Sequence, residues 1–556
     1  MEVGGQPGNP ARAADPAAQA PRAKRLWGLP RPLTARDVQL YRACEGLTEA
    51  LIYLMVVFGP WAFGTSQPWS ISLMNGAGYL LGLLLAAKLA VRWLKGYRPP
   101  RWDGSDHKTT GLRDYETSGP RDHRSTPEVT GQRAGGRGGR GAAAARLTAI
   151  LAWLTVAILG YCLVSAVNAR ATWHSLQLSF AYHPCIPWLP HSLDSGRSWL
   201  AFWSYLGLAC SFWAIRDWLL GKSEAEERGE RRGAQPGGGS SGPLLPARLR
   251  RLLWVLAVNG GLLGLEGIVQ RLEGSGRLLF LVKPRVNPAA VTQFGPYAYR
   301  ANASQYFNLL WPVCLGFWWT LNQSLAYTRK GHHLILVCCA IMAACPIIST
   351  SRGGALITVG IVVLAAFFLL ATHFLLAARR QPARGARRNS PAWLILFFGS
   401  ALVLGYALGW KALKPRMAHI HEGFEYREQM YEVARPMAAD YPLFGTGPGT
   451  FATVFQLYRP STHTYWPAQL HNDWLETRIT FGWLGSGLIA LALAAVILRW
   501  FARGGIHGSR QFMILAWLAV AGCLVHARFD FPFQMHSIVF LFLVLCALLF
   551  NLTRRP

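Results

Sequence analysis

The apolar positions of this chain come in unbroken blocks, not in the alternating or three-to-four-residue spacing of amphipathic elements. About twelve blocks stand out, near 47–64, 71–93, 147–168, 198–219, 251–269, 303–321, 333–350, 354–377, 392–412, 478–500, 511–527 and 537–552. An α-helix rising about 1.5 Å per residue needs roughly 20 such residues to cross some 30 Å of hydrocarbon. The pattern therefore predicts an all-α integral membrane protein of about twelve transmembrane helices. Residues 1–46 are expected as a disordered cytoplasmic N-terminus and 47–94 as spans 1 and 2. A disordered basic linker over 95–146 follows, then spans 3 to 9 over 147–412. A large helical loop, 413–477, separates these from spans 10 to 12 over 478–556. A second linker, 221–248, is Glu/Arg- and then Gly-rich, and neither linker has the apolar residues to offset the entropy of ordering.

The large loop has structure of its own. EGFEYREQMYEVARPMAADYP (422–442) spaces its apolar residues for a short amphipathic helix that Pro442 ends. PLFGTGPGTF (442–451) supplies three glycines for a tight turn with exposed backbone. LHNDWLETRITFGWLG (470–485) reads as the cap and first turns of the tenth span. With a helix starting near Asn472 or Asp473, Glu476 falls one turn on and completes a capping arrangement.

Charge sharpens the picture. The 556 residues are 52% hydrophobic and carry a formal net charge of +29, which invites a nucleic-acid reading. An N-terminus in the cytoplasm, however, puts the basic loops 94–146, 220–251, 323–332, 378–391 and 499–510 on one side, the positive-inside distribution. RAGGRGGRG (133–141) is then a topogenic segment, and no nucleic-acid partner is expected. Residues 1–40 hold no apolar signal-peptide core, so the first span is expected to act as the insertion signal. Nine of the ten cysteines lie in or beside spans and read as small hydrophobes. Cys185 alone sits in an outside loop, and no disulfide framework is expected.

The same orientation places 413–477 outside, with both termini in the cytoplasm. Arg271, Arg277, Lys283, Arg285 and Arg300 also fall outside, against the charge bias, and an anionic ligand or lipid headgroup would account for them. Three outside residues carry candidate chemistry. Arg352 lies in a minimal turn, STSRGG (349–354), between two spans. Arg427 projects from the loop helix, and His471 precedes the tenth span. Each has a plainer reading: interfacial snorkelling, a solvated charge, and packing beside a helix cap. Together they suit attack by an alcohol on a diphosphate ester, with guanidinium forks on phosphate oxygens and an imidazole taking the proton. The outside loops contain no Asp-x-Asp metal motif, so the arginines would bear the leaving-group charge; no metal or cofactor is expected.

Over roughly residues 290–540 the chain resembles the O-antigen ligase and O-antigen polymerase superfamily of bacterial membrane glycosyltransferases. YRANASQYFNLLWP (299–312), STSRGG, REQMYEVARPMAADYPLFGTGPGTF (427–451), LHNDWLE and FDFPFQMHS (529–537) resemble its motifs, in its order. The resemblance implies an inverting, metal-independent transferase at the bacterial inner membrane with its active site on the periplasmic face. The donor would be a glycan on undecaprenyl diphosphate and the acceptor a glycan, lipid or protein hydroxyl. It implies His471 as the base and Arg352, Arg427 and Arg300 as diphosphate ligands. Asn472, Asp473, Asn302, Gly445 and Gly447 would support them. The competing reading is a twelve-span transporter of a lipid-linked or small substrate, which usually shows two similar halves and a mid-membrane site.

Overall fold

The computed structural model describes residues 33–102, 138–233, 245–323, 330–379, 390–461, 466–502, 506–507 and 509–553. Its first helices are α1 (Ala35–Trp61), α2 (Pro68–Leu94), α3 (Gly138–Val167), α4 (Ser195–Leu220) and α5 (Glu224–Gly233). Next come α6 (Ala247–Glu273), α7 (Arg300–Asn322), α8 (His333–Ile348), α9 (Arg352–Arg379) and α10 (Ser390–Gly405). The remainder are α11 (Lys411–Ala418), α12 (Ile420–Asp440), α13 (Phe451–Phe455), α14 (Asp473–Arg499), α15 (Arg510–His526) and α16 (His536–Asn551). A short antiparallel hairpin, β1 (Ala171–His174) on β2 (Ser179–Tyr182), lies between α3 and α4 and pairs Ala171 with Tyr182.

Each of the predicted apolar blocks lies on a helix. Among the described residues, eight helices are long and apolar enough to cross a membrane: α1, α2, α3, α4, α6, α9, α10 continued through α11, and α14. Helices α8, α15 and α16 are apolar but shorter. Helix α7 is long but polar in its first turns, with Asn302, Ser304, Gln305 and Asn308. It tolerates that polarity because it is central. Every residue from Ala301 to Asn322 is buried, and α15, α8, α6, α9 and α16 pack around it. Neighbouring helices satisfy some of its polar groups. Asn308 Nδ2 donates to the Gly354 carbonyl at 3.0 Å, and Thr358 Oγ1 donates to Asn308 Oδ1 at 2.7 Å. Helix α6, though half-buried against α8, α7 and α1, leaves Val258, Leu262, Leu265, Val269 and Leu272 exposed. Their spacing of four, three, four and three makes one continuous apolar face, the face a lipid-contacting helix presents.

Three segments expected to lack structure have some. A capping box starts α1 at Ala35: Thr34 Oγ1 accepts from Asp37 N at 3.3 Å and Asp37 Oδ2 accepts from Thr34 N at 2.9 Å. Residues 35–46 are therefore helical. Helix α5 occupies part of 221–248, and α3 already begins at Gly138. The linker segments 103–137 and 234–244 lie outside the described residues.

The start of the basic linker is clamped to the bundle end opposite the α7 N-terminus. Trp102 N donates to Leu220 O at 2.9 Å, and Lys222 N to Pro100 O at 3.0 Å. Arg101 Nη1 reaches Asp217 Oδ1 at 2.8 Å, where Arg92 Nη2 also binds at 2.9 Å. Lys88, with no exposed side-chain surface, lies 3.0 Å from Asp217 Oδ2 and 3.1 Å from Glu45 Oε2. Asp217 thus holds three cations in a largely buried site, with Glu45 as a second acid on Lys88. Asp217→Ala should destabilise the protein by about 3 kcal/mol or more, since removing one partner of a buried pair strands the others. Lys88→Met, which removes one of three cations, should cost less. Thermal unfolding in detergent, followed by the fraction eluting as monodisperse protein, orders the two variants.

Candidate active site

The frame of the site is a helix that breaks inside its span. Within α14, Gly482 adopts φ 59° and ψ −166°, which ends the regular hydrogen-bond ladder there. The groups released are taken up by the glycine turn. Thr446 N donates to Ile479 O at 2.8 Å and Gly447 N to Thr480 O at 3.0 Å. In return Trp483 N and Leu484 N donate to Pro442 O and Leu443 O at 2.9 and 3.1 Å. Gly445 (φ 66°) and Gly447 (φ 108°) are needed for this stitching: a Cβ on Gly445 would stand 2.5 Å from Gly482 N, and one on Gly447 2.4 Å from Ser192 Oγ. Irregular backbone at membrane depth persists where protein satisfies it. The two predicted supporting glycines are therefore scaffold, set apart from the cavity described below.

The break and the turn fix the start of α14, where the His-Asn-Asp triplet divides its work. Asn472 is the N-cap, its side chain accepting from Leu475 N at 3.2 Å. Glu476 accepts from Leu470 N at 2.7 Å; it ties down the approach to the helix and leaves the N-cap amide alone, unlike the predicted capping arrangement. Asp473 accepts from Phe533 N at 2.7 Å and Gln534 Nε2 at 3.3 Å, which fastens α14 to the turn between α15 and α16. His471 is left-handed (φ 58°), so its ring leaves the helix axis and turns toward that same turn. Its carbonyl accepts from Tyr431 Oη at 2.8 Å, and its ring packs on Phe531 with centroids 4.7 Å apart.

The ring meets a residue absent from the predicted set. His471 Nδ1 lies 3.0 Å from Asp530 Oδ1, to which Phe531 N also donates at 3.1 Å. The other oxygen, Oδ2, faces Tyr299 Oη at 3.4 Å and Arg427 Nη2 at 3.6 Å. Burial pushes the Asp530 carboxyl up, but the His471 hydrogen bond and the Arg427 charge outweigh it and hold the group below the usual carboxylate range. An ionised Asp530 accepts only, so neutral His471 carries its proton on Nδ1 and leaves Nε2 as a base. The signal for Asp530 was on the page as the acid in FDFPFQMHS, but only the folded chain pairs it with His471.

Beside this array lies a cavity of about 600 Å³ between the N-terminal ends of α7 and α9, helix α12 and the C-terminal end of α15. Its polar wall holds Tyr299, Arg300, Arg352, Arg416, Arg427 and Asp530. The rest of the lining is largely apolar, including Leu356, Ile357 and Ile361 of α9 and Leu518 and Val525 of α15. Arg352 opens α9 and donates to His419 O at 2.7 Å; Arg427 donates to Phe529 O and, at 3.5 Å, to Tyr299 Oη. The three predicted arginines thus share one cavity, joined by Arg416, which the sequence reading passed over. His471 does not line it, and reaches it through Asp530 and Tyr299, which do. Asn302 is buried in the first turn of α7 outside the lining, with no hydrogen-bond partner at Oδ1 among the described residues. Among those residues no group of three or more His, Cys, Asp or Glu could hold a metal ion.

The stretch from α8 into α14, residues 337–492, matches the family model described as O-Antigen ligase. Over those residues the chain is similar to the O-antigen ligase family. That match supports an envelope glycosyltransferase of the O-antigen ligase or polymerase type, in a multi-pass membrane protein. The matched residues include Arg352, Arg427 and His471 but end before Asp530 and begin after Arg300. No curated protein matches the chain.

Because its folded pKa is depressed, Asp530 stabilises the fold fully above its unfolded value of about 3.9, and this contribution fades as pH falls through the folded value. Asp530→Asn should lower the melting temperature near neutral pH. The gap to the wild type should narrow as pH is taken below about 4, in matched thermal scans in detergent.

Proposed function

We propose that this protein is an envelope polysaccharide ligase or polymerase that transfers a glycan from an undecaprenyl diphosphate carrier to an acceptor hydroxyl, with inversion and without a metal. The observation that carries this reading is that one buried carboxylate, Asp530, binds both His471 and Arg427 at the edge of a cavity with three further arginines. The cavity has the two chemistries that a lipid diphosphate needs. Guanidinium groups suit the phosphate oxygens, and the apolar lining from α9 and α15 suits the first units of the hydrocarbon tail.

His471 Nε2 takes the proton of the acceptor hydroxyl as its oxygen attacks the anomeric carbon from the face opposite the diphosphate. The carbon–oxygen bond to phosphate breaks, its electron pair leaves on the diphosphate, and Arg352, Arg427 and Arg300 carry the added charge. Asp530 stabilises the imidazolium that forms. A single displacement of this kind inverts the anomeric centre. The distribution of basic loops supports a site on the periplasmic face of the bacterial inner membrane with both termini cytoplasmic. The acceptor is a lipid A core, a growing glycan or a protein hydroxyl. The transporter reading draws no support from the family match.

The test is transfer from a lipid-diphosphate-linked glycan by purified protein in detergent, with EDTA present. His471→Ala should lower turnover by about 10²- to 10⁴-fold, the usual scale of positioned base catalysis, while still binding the donor. Asp530→Asn should lower turnover by less and shift the pH profile. Arg352→Lys should weaken donor binding as well as turnover, because a point charge cannot reproduce the planar fork. Full activity in His471→Ala, or a wild type that EDTA silences, would overturn the mechanism.

A further inference from the structure

The outside cations singled out in the sequence divide into two groups in the fold. Arg271 is spent on backbone carbonyls, donating to Ala290, Gln293 and Ser349 at 3.0, 2.9 and 3.0 Å. Arg300 binds the Val291 carbonyl and lines the cavity. Arg277, Lys283 and Arg285 are different. All three are exposed, and among the described residues none of them forms an ion pair. The acid nearest in sequence, Glu273, already accepts from Ser275 Oγ at 2.7 Å.

These cations flank a tight turn. Leu278 N donates to Val282 O at 2.8 Å and Val282 N to Leu278 O at 3.1 Å, which closes a loop through Leu279 and Phe280 at φ 51° and 61°. Left-handed backbone at two residues without glycine costs free energy and persists only where the surroundings hold it. Here Gln270 Nε2 grips the base of the loop at Arg277 O and Gly295 O, at 2.9 and 3.1 Å. The turn displays Leu281 at 74% and Val286 at 74% exposure, with Phe280 and Val282 beside them. In sequence the turn follows the exposed stripe of α6, which ends at Leu272.

We infer that residues 277–286 are an interfacial anchor that inserts Phe280, Leu281, Val282 and Val286 into the lipid on the cavity side and sets Arg277, Lys283 and Arg285 on anionic headgroups. Water is a poor environment for that apolar surface, and in sequence it follows a face already suited to hydrocarbon. The cations stand where phosphate-bearing headgroups would begin, and each is worth roughly fivefold in attraction to an anionic surface. Because Arg271 and Arg300 tie the far side of the same loop to the cavity rim, the anchor fixes the depth of that rim in the leaflet. This role is independent of the transfer chemistry.

The test places a nitroxide at Leu281→Cys in the full chain, with the accessible Cys185 and Cys210 changed to Ala, reconstituted in vesicles. Reference labels go on Glu224→Cys, in the polar α5, and Leu265→Cys, on the exposed stripe of α6. One set of vesicles is phosphatidylcholine alone and the other holds equal parts phosphatidylcholine and phosphatidylglycerol. The label at 281 should collide with oxygen and be shielded from a water-soluble nickel chelate, as at 265, and should sit deeper in the anionic vesicles. The triple variant Arg277→Gln, Lys283→Gln, Arg285→Gln should abolish that difference. A label as open to nickel as the one at 224 would overturn the anchor. So would one shielded from both reagents, the mark of a protein partner, and an immersion indifferent to phosphatidylglycerol would overturn the recognition of anionic lipid.

Discussion

A carboxylate taken out of water must be given donors, and Asp530 is the group around which the cavity end of this protein is arranged. Its oxygens draw in a histidine from the start of α14, an arginine from α12, a tyrosine from the start of α7 and a backbone amide of its own turn. Four separate stretches of chain converge because one charge cannot be left unpaired in a low-dielectric interior. The same pairing sets chemistry. It engages the histidine through Nδ1 and holds Arg427 at the cavity wall, so the proposed base and the proposed phosphate ligand are positioned by one acid.

That convergence needs α14 to start at a fixed place and angle, which a plain transmembrane helix would not guarantee. The break at Gly482 supplies the constraint. Backbone groups freed by the break are hydrogen-bonded by the turn 442–447, so the large loop is sewn into the span beneath it. Position and rigidity are gained together. The loop helix that bears Arg427 is tied through this turn to the helix that His471 precedes.

Cations are used in three distinct ways along the chain. At the far end of the bundle Lys88, Arg92 and Arg101 converge on Asp217 and close the fold. At the cavity four arginines face one carboxylate and leave an excess of positive charge. At the rim, Arg277, Lys283 and Arg285 remain open beside exposed apolar residues. Net charge alone, which first suggested nucleic acid, distinguishes none of these.

The linear pattern determined what depends on neighbours in sequence. Block length marked the apolar helices, and residue type nominated Arg352, Arg427, Arg300 and His471, since only certain side chains can hold phosphate or move a proton. The cap at Asn472 was legible for the same reason: its partner, Leu475, is three residues away. What lay beyond the sequence depended on distant contacts. Asp530 is 59 residues from His471, and an acid before a span looks the same whether it faces water or a histidine. The polarity of α7 became intelligible only once five helices were seen to enclose it. Gly445 and Gly447 read as a turn near the chemistry, but the tertiary structure gave them to the repair of a broken helix, because unpaired backbone at membrane depth has to be answered by whatever chain packs against it.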